Sequence, residues 1–244
     1  MSSLSQSPSP SLRERVAALD WRAIEASLHE LGFARTPPVL TPAECAALVA
    51  LWDQDARFRK RIDMAQHRFG VGEYKYFAHP LPPLVRALRT HAYRRLAPIA
   101  NRWAQALRSD VRYPPSLRGF LAECHAQGQS RPTPLLLRYR PGGYNCLHQD
   151  LYGKVAFPLQ LTCFLSRPGQ DYGGGEFLLV EQRPRMQSRG EVIVGAQGEI
   201  VIFPVGAHPA PGARGPYRAV MRHGVSRLLS GQRYALGVIF HDAT

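Results

Sequence analysis

The sequence predicts an α+β protein in which a double-stranded β-helix, or jelly-roll, barrel carries N-terminal helices packed on its outside. Two observations lead to this prediction. Apolar residues recur at helical spacing in the first half of the chain, whereas the second half consists of short β-type runs separated by Pro and Gly. We therefore expect a disordered tail over residues 1–11, a mainly helical region over 12–130 and the jelly-roll core over 131–244.

Three helices are expected in the first half. Residues 12–31 carry apolar side chains at helical spacing. The Thr-Pro-Ala-Glu segment at 41–44 has the sequence of a capping box with Pro at the first helical position, and it predicts a helix that runs to about Trp52. A further helix is predicted over 83–107, with a kink or a break at Pro98.

Short runs rich in apolar and β-branched residues predict the strands. Most of them lie beyond Pro134, bounded by turn sequences such as Pro-Gly-Gly and Gly-Gly-Gly. A chain that ends in many short strands is typical of a jelly-roll barrel. The predicted runs are residues 33–40, 70–77, 135–140, 144–148, 159–165, 176–181, 191–194, 199–203 and 234–240.

The chain is strongly basic, with 31 Lys and Arg against 18 Asp and Glu and a net charge of +13. Three of the 31 are the lysines Lys60, Lys75 and Lys154, and the other 28 are arginines. A GC-rich genome would favour arginine over lysine through codon usage, but that bias does not explain the shortage of acids. The charge therefore favours a polyanionic partner, and nucleic acid is the first candidate.

Several features bear on the compartment. Cys45, Cys124, Cys146 and Cys163 form no Cys-x-x-Cys pair, which predicts buried free thiols in a reducing compartment. There is no run of eighteen apolar residues, so no membrane association is expected. The Ser/Pro-rich start lacks the basic and apolar regions of a signal peptide. We expect a cytoplasmic protein.

A His-x-Asp pair, His148 and Asp150, follows a predicted strand and a Pro-Gly turn. Side chains alternate along a strand, so both would lie on the same face. A second histidine from a distant strand would complete two imidazoles and one carboxylate on one face of a metal, the donor set of non-haem Fe(II) oxygenases. The alternative is that His148 is a core histidine and Asp150 a turn residue.

Three histidines compete for the second imidazole. His208 lies in a Pro/Gly-rich stretch that we expect to be an exposed loop, and His241 lies on the final strand, where it would touch the edge of the site or simply pack. His223 is preferred because Arg233 follows it after a short turn, so that two antiparallel strands would bring both into one cavity. Arg233 is a fixed cation able to hold a dicarboxylate co-substrate by a bidentate pair.

These residues lie in segments that resemble known oxygenases. Residues 138–142 and 147–150 are similar to the AlkB nucleic-acid demethylases. Four further segments resemble the barrel of prolyl-hydroxylase-type 2-oxoglutarate oxygenases. They are Gly-Gly-Gly-Glu-Phe at 173–177, Gln-Gly-Glu-Ile-Val-Ile-Phe-Pro at 197–204, His223-x-Val225 and Gly231-x-Arg233. The resemblance, over about 135–241, is greatest to a bacterial family described as oxygenases for oxidative demethylation of damaged DNA, with Glu-Gln-Arg-Pro-Arg at 181–185 as its hallmark.

The resemblance implies a set of ligands. His148, Asp150 and His223 would bind Fe(II), and Arg233 and Tyr139 would hold 2-oxoglutarate. O2 would be the other co-substrate. Two departures from the AlkB pattern concern the substrate side. The AlkB asparagine before the tyrosine is Leu137 here, and the AlkB Arg-x-Asn-x-Thr-x-Arg strand is replaced by Arg233, Ala235, Gly237 and Ile239.

Substrate contacts are expected at the mouth of the barrel, from Tyr74, Tyr76, Arg140 and Tyr144. Aromatic side chains there would stack on a flipped base, although half-buried strands also favour tyrosine for packing. Arg183, Arg185 and Arg189 would hold phosphates or lie on a solvated face.

Three functions follow from these residues. The first is demethylation of alkylated nucleic acid, which the net charge and the AlkB-like segments favour. The second is a prolyl-hydroxylase-like hydroxylation of a protein or amino-acid side chain, which the ten-residue spacing between His223 and Arg233 favours. The third is a non-enzymatic β-barrel binding module in which the histidines and the aspartate are structural.

Overall fold

A computed structural model describes residues 9–244 of the chain. Over this range the chain forms five α-helices: α1 Leu12–Ala17, α2 Trp21–Glu30, α3 Pro42–Ala50, α4 Pro83–Ala106 and α5 Leu117–Ala126. It also forms fifteen strands: β1 Ala34–Arg35, β2 Phe58–Asp63, β3 Gly70–Val71, β4 Glu73–Phe77, β5 Leu135–Tyr139, β6 Tyr144–His148, β7 Leu159–Phe164, β8 Tyr172–Gly174, β9 Phe177–Gln182, β10 Arg189–Ile193, β11 Ile200–Pro204, β12 Ala207–Ala210, β13 Tyr217–Val225, β14 Leu228–Gly231 and β15 Arg233–Ile239.

Two large antiparallel sheets form the barrel. One has the strand order β1-β11-β7-β15-β5-β4-β2, and the other has the order β10-β9-β13-β6-β3 with β12 paired to β13. Strands β14 and β8 form a separate two-stranded ladder. Side chains of both large sheets share one apolar cluster, which includes Tyr139 and Phe164 from the first sheet and Phe177 and Leu179 from the second. The predicted jelly-roll class is confirmed.

The helices cover the outer face of the seven-stranded sheet. Along β7, residues 160, 162 and 164 point into the barrel, while Leu161 and Cys163 join Leu28 and Leu88 in the cluster between sheet and helices. Both faces of β7 are therefore covered, and all six of its residues are buried. The prediction of helices packed outside the barrel is also confirmed.

The N-terminal region departs from the expected elements in two ways. The helix expected over 12–31 is two helices, because Asp20 accepts a hydrogen bond from the Ala23 backbone and caps a new helix. The expected disordered tail falls mainly on residues outside the described range, but Ser11 forms a capping box with Glu14 at the start of α1. The capping box predicted at Thr41 and the Pro after it are confirmed.

Helix α4 is not broken at Pro98, contrary to one form of the prediction. Proline removes one backbone hydrogen bond and crowds the carbonyl four residues earlier. Here both Pro98 and Arg94 are exposed residues on the solvent side of the helix. Leu96 and Ile99 on the opposite side are buried against the sheet cluster. The packing of residues before and after the proline thus outweighs the loss of one backbone hydrogen bond.

Several elements were not predicted. The sequence of β2 is dominated by charged residues, which do not indicate a strand. The sequence of α5 lacks a clear pattern of helix start and stop residues. Strands β1, β3 and β4 fall within the runs expected over 33–40 and 70–77, and together with β2 they extend both sheets. The strand expected over 33–40 is only two residues long, because Pro37 and Pro38 cannot continue a ladder. No helix within the described range is long and apolar enough to span a membrane.

Candidate active site

A cavity of about 370 Å³ lies between the two large sheets. Its wall on the seven-stranded side comes from strands β4, β5, β7 and β15, and its opposite wall comes from β6, β9 and β13 together with the chain just after β6. Its lining includes Arg68, Phe69, Tyr74, Tyr139, His148, Asp150, Tyr152, Gln160, Thr162, His223 and Arg233.

Two histidines and one aspartate meet on one wall of this cavity. Ligand atoms of His148, Asp150 and His223 all lie within 4.8 Å of one another, and no other such group of three occurs in residues 9–244. The Nε2 atom of His223 is 3.2 Å from Asp150 Oδ2, and the Nε2 atom of His148 is 3.6 Å from Asp150 Oδ1. The three groups present a donor set that suits Fe(II).

Strand pairing brings these residues together. His148 is the last residue of β6 and lies opposite His223 of β13, so their ring centroids are 4.1 Å apart. Gly224 makes this approach possible, because a Cβ there would come within 2.7 Å of the Asn145 carbonyl oxygen. Asp150 lies two residues beyond the end of β6 and turns to the same side as His148.

The protonation states of the cluster suit a metal cation. Burial alone would raise the pKa of Asp150, but the imidazoles of His223 and His148 and the Tyr152 hydroxyl hold this pKa below its usual range. Burial and the neighbouring His223 lower the pKa of His148. Its Nδ1 lies 2.8 Å from the carbonyl oxygen of Cys146, so Nδ1 donates there and Nε2 is left free to bind.

A second layer of side chains supports the carboxylate. The Tyr152 hydroxyl donates to Asp150 Oδ1 at 2.8 Å, and Tyr76 donates in turn to Tyr152 at 3.3 Å. The guanidinium of Arg59 lies 4.5 Å from the ring centre of Tyr76. Such outer partners orient the groups that bind a metal. No sequence pattern marks Tyr152, whose position is known only once the loop after β6 is folded.

The far wall of the cavity holds a buried cation. Arg233 is 2% exposed, and its Nε and one terminal nitrogen have no hydrogen-bond partner in the described chain. Its guanidinium lies among aromatic rings, 5.6 Å from both Tyr139 and Phe164, and the Tyr139 hydroxyl is likewise buried without a partner. Unpaired buried donors of this kind fit an anionic ligand with carboxylate oxygens.

The strand connection between His223 and Arg233 differs from the one expected. The two residues do not lie on a direct hairpin, because β14 intervenes and pairs with β8. Strands β13 and β15 belong to different sheets and face each other across the cavity. Gly175 sits beside this connection with φ +65°, and a Cβ there would meet Arg233 Cδ at 3.2 Å. The Gly-rich segment therefore gives the arginine stem its space.

The other two histidines lie outside the cluster. The expectation that His208 is in an exposed loop is wrong: it is 1% exposed on β12 and lies 3.3 Å from Glu181. The segment is Pro/Gly-rich, yet it pairs with β13 and is covered by α2 and α4, which the sequence did not show. His241 is fully buried, accepts a hydrogen bond from the Phe157 backbone, and has its pKa lowered to about 4 by burial.

Of the four expected substrate residues, only Tyr74 lines the cavity. Tyr76 is buried behind the wall and serves as the support described above. Arg140 is exposed away from the cavity lining, and Tyr144 lies beneath the guanidinium of Arg227 at 5.5 Å. The expectation that all cysteines are buried is wrong for Cys146, which is exposed at the cavity.

Comparison with known proteins gives the class. A family model described as "Oxygenase, catalysing oxidative methylation of damaged DNA" matches residues 72–243, well over half of the chain. The chain belongs to this oxygenase family. Two uncharacterized proteins of Mycobacterium tuberculosis are each 48% identical to the oxygenase over 190 residues, covering 76% of this chain and 82% of theirs.

Solved structures show the same fold at low identity. A Pseudomonas putida prolyl-4-hydroxylase has a TM-score of 0.55 and 14% identity, covering 92% of this chain and 99% of that one. A 2OG-Fe(II) oxygenase family oxidoreductase of Burkholderia pseudomallei has a TM-score of 0.55 and 15% identity, covering 92% of both chains. A prolyl 4-hydroxylase of Phytophthora capsici has a TM-score of 0.57 and 16% identity, covering 98% and 68%.

Family membership and the two-histidine, one-carboxylate cluster confirm the predicted class of enzyme. The protein is an oxygenase whose two-histidine, one-carboxylate cluster offers the donor set that suits Fe(II).

Proposed function

We propose that the oxygenase removes methyl groups from alkylated nucleic acid by oxidation. The observation that carries the proposal is one cavity with a donor cluster for Fe(II) on one wall and a buried, unpaired guanidinium on the other. The net charge of +13 and the damaged-DNA description of the family supply the substrate class.

In this proposal His148, Asp150 and His223 hold Fe(II), which supplies the activation of O2 when it is bound. The protein fixes the orientation, the charge and the solvent exposure of these ligands. His148 is fixed in one tautomer by the Cys146 carbonyl, and Asp150 stays ionised because the imidazoles and Tyr152 lower its pKa. The surrounding sheets keep the cluster mostly out of water, since Asp150 and His223 are each 8% exposed.

Arg233 and Tyr139 hold 2-oxoglutarate in this proposal. A bidentate pair between the guanidinium and the distal carboxylate satisfies the two unpaired nitrogens of Arg233. The Tyr139 hydroxyl gives one further hydrogen bond to the same ligand, because it is buried and has no partner in the described protein. The co-substrate then spans the cavity from Arg233 towards the donor cluster on the facing sheet.

The chemistry of an oxygenase decides the direction of the reaction. Its reactants contain no methyl donor, so the enzyme removes a methyl group rather than adding one. An N-methyl group, O2 and 2-oxoglutarate yield the N–H group, formaldehyde, succinate and CO2. One oxygen atom enters the methyl C–H bond, the other enters succinate, and the hydroxymethyl group leaves nitrogen as formaldehyde.

A second candidate is hydroxylation of a protein or amino-acid side chain. The ten-residue interval between His223 and Arg233, which resembles the prolyl-hydroxylase pattern, favours it. The product in that case is a stable alcohol, because a hydroxylated carbon that is not attached to nitrogen does not release formaldehyde.

One assay separates the two functions. Purified enzyme is incubated with Fe(II), 2-oxoglutarate and ascorbate, and succinate and formaldehyde are measured with methylated single-stranded DNA or with a proline-containing peptide. Formaldehyde from the DNA supports demethylation. A hydroxylated peptide without formaldehyde contradicts it in favour of the second candidate.

A further inference from the structure

A short segment beside the cavity mouth carries residues that the metal and co-substrate proposals do not use. This segment, residues 64–71 and called the mouth loop here, joins β2 to β4 and supplies β3 to the opposite sheet. The carbonyl of Phe69 accepts a hydrogen bond from the Cys146 backbone at 2.8 Å, two residues before His148. Arg68 and Phe69 both line the cavity.

The mouth loop is firmly held. Met64 is fully buried, its backbone N–H donates to the Gly72 carbonyl at 2.9 Å, and its carbonyl accepts from the Phe69 backbone at 3.0 Å. Asp63 accepts a hydrogen bond from Ala65 at 3.0 Å. A surface held in this way loses little conformational entropy when a ligand binds to it.

The loop presents one aromatic face to solvent. Phe69 is 48% exposed, and no other Phe, Tyr or Trp between residues 9 and 244 is classed as exposed. It stacks on His67, with ring centroids 5.4 Å apart and an interplanar angle of 21°. Phe69 therefore offers an exposed aromatic surface beside the cavity, on which a flat ligand can stack and bury apolar area.

A cation lies beside this aromatic face. Arg68 is exposed, lines the cavity and has a left-handed backbone with φ 60°, which is uncommon for a residue other than glycine. Flat aromatic rings bind the face of an unpaired base, and an adjacent arginine binds its phosphate. Stacking of this kind needs a base that is not paired in a duplex.

We infer that the mouth loop selects single-stranded nucleic acid, with Phe69 and His67 stacking on the base next to the oxidised one and Arg68 pairing with its phosphate. The inference rests on the proposed function and names the form of its substrate. It predicts tighter binding of single-stranded than of double-stranded oligonucleotides.

The test measures binding without turnover. The probe is a fluorescein-labelled, unmethylated single-stranded oligonucleotide, and the readout is anisotropy with the full-length protein. Phe69→Ala should weaken binding about 5- to 150-fold, the range for loss of one stacked base. Arg68→Gln should weaken binding and reduce its salt dependence by about one phosphate contact. Val192→Ala and Arg118→Gln, at exposed positions elsewhere, are the matched controls and should bind as the parent does.

Phe69→Trp guards against a variant that simply fails to fold. It should keep most of the affinity, and its added emission should be quenched by the oligonucleotide. Binding by Phe69→Ala within about twofold of the parent would overturn the inference, as would quenching of Phe69→Trp by a peptide but not by the oligonucleotide. The proposed function fails separately, if the parent enzyme releases no formaldehyde from any methylated nucleic acid.

Discussion

Arg233→Met tests the co-substrate site most directly. Arg233 is 2% exposed and its side chain is surrounded by aromatic rings and the cavity. A carboxylate that binds beside it loses most of its contact with water and depends on the guanidinium for compensation. The substitution keeps an unbranched stem and ends it in an apolar thioether, so that the charge and its hydrogen-bond donors are lost.

The magnitude follows from burial. Removing one partner of a buried ion pair costs about 3–5 kcal/mol, which corresponds to a roughly 150- to 5,000-fold higher Kd for 2-oxoglutarate. The variant without co-substrate should be at least as stable as the parent, because a buried cation without an anionic partner is replaced by an apolar side chain. Arg233→Lys should give a Kd for 2-oxoglutarate between those of the parent and of Arg233→Met, since lysine keeps the charge and loses the planar guanidinium.

Two measurements check this prediction. Isothermal titration with 2-oxoglutarate, using protein loaded with Mn(II), gives the Kd, and urea unfolding without co-substrate gives the free energy of unfolding. The control is Arg138→Met, because Arg138 precedes Tyr139 on the neighbouring strand β5, does not line the cavity and pairs with Glu73. A Kd within about twofold of the parent in folded Arg233→Met protein would refute the assigned role.

Three further predictions concern metal binding and stability. His148→Ala should abolish stoichiometric iron binding, measured by metal analysis after dialysis, because it removes one of the three proposed ligands. Tyr152→Phe should lower iron affinity about 10- to 100-fold in a competition assay with a chelator, since the metal-binding carboxylate loses its hydrogen-bond donor. Arg89→Met should lower the free energy of unfolding by about 3–5 kcal/mol in urea, because it removes the guanidinium that lies 2.8 Å from the fully buried Asp242 and leaves that carboxylate only His125, at 3.1 Å.

Each of these variants has a matched control. His29→Ala and Tyr234→Phe change residues away from the metal cluster and should keep full iron affinity. Arg102→Met removes an exposed pair with Glu25 and should cost about 1 kcal/mol or less. Full iron occupancy in the His148 variant, or equal affinities in Tyr152→Phe and Tyr234→Phe, would contradict the proposed coordination. A loss in Arg89→Met no larger than in Arg102→Met would contradict the burial argument.

The predictable parts of the fold are those set by neighbours in sequence. The capping box at Thr41 depends on residues three apart, and the strand predicted at 144–148 coincides with β6. The failures involve contacts from distant segments. Pro98 remains within a helix because the sheet packs beneath it, and His208 is buried because two helices cover a segment with loop-like composition.

The same division holds at the site. Residue chemistry and spacing predict His148, Asp150, His223 and Arg233, because few residue types can bind Fe(II) or a dicarboxylate. Tyr152 carries no such signal: it is one tyrosine among ten, and its hydrogen bond to the carboxylate exists only after the loop turns back.

By itself the sequence determined the class of barrel, the chemical groups available to a metal and a dicarboxylate, and the basic character that favours a polyanion. Only the tertiary structure decided which distant strands meet: β6 pairs with β13, while Arg233 faces them from the other sheet. It also decided that Phe69 rather than Tyr76 is displayed at the mouth. The physical reason is that side-chain chemistry is carried by each residue, whereas burial and strand register depend on every segment that packs around it.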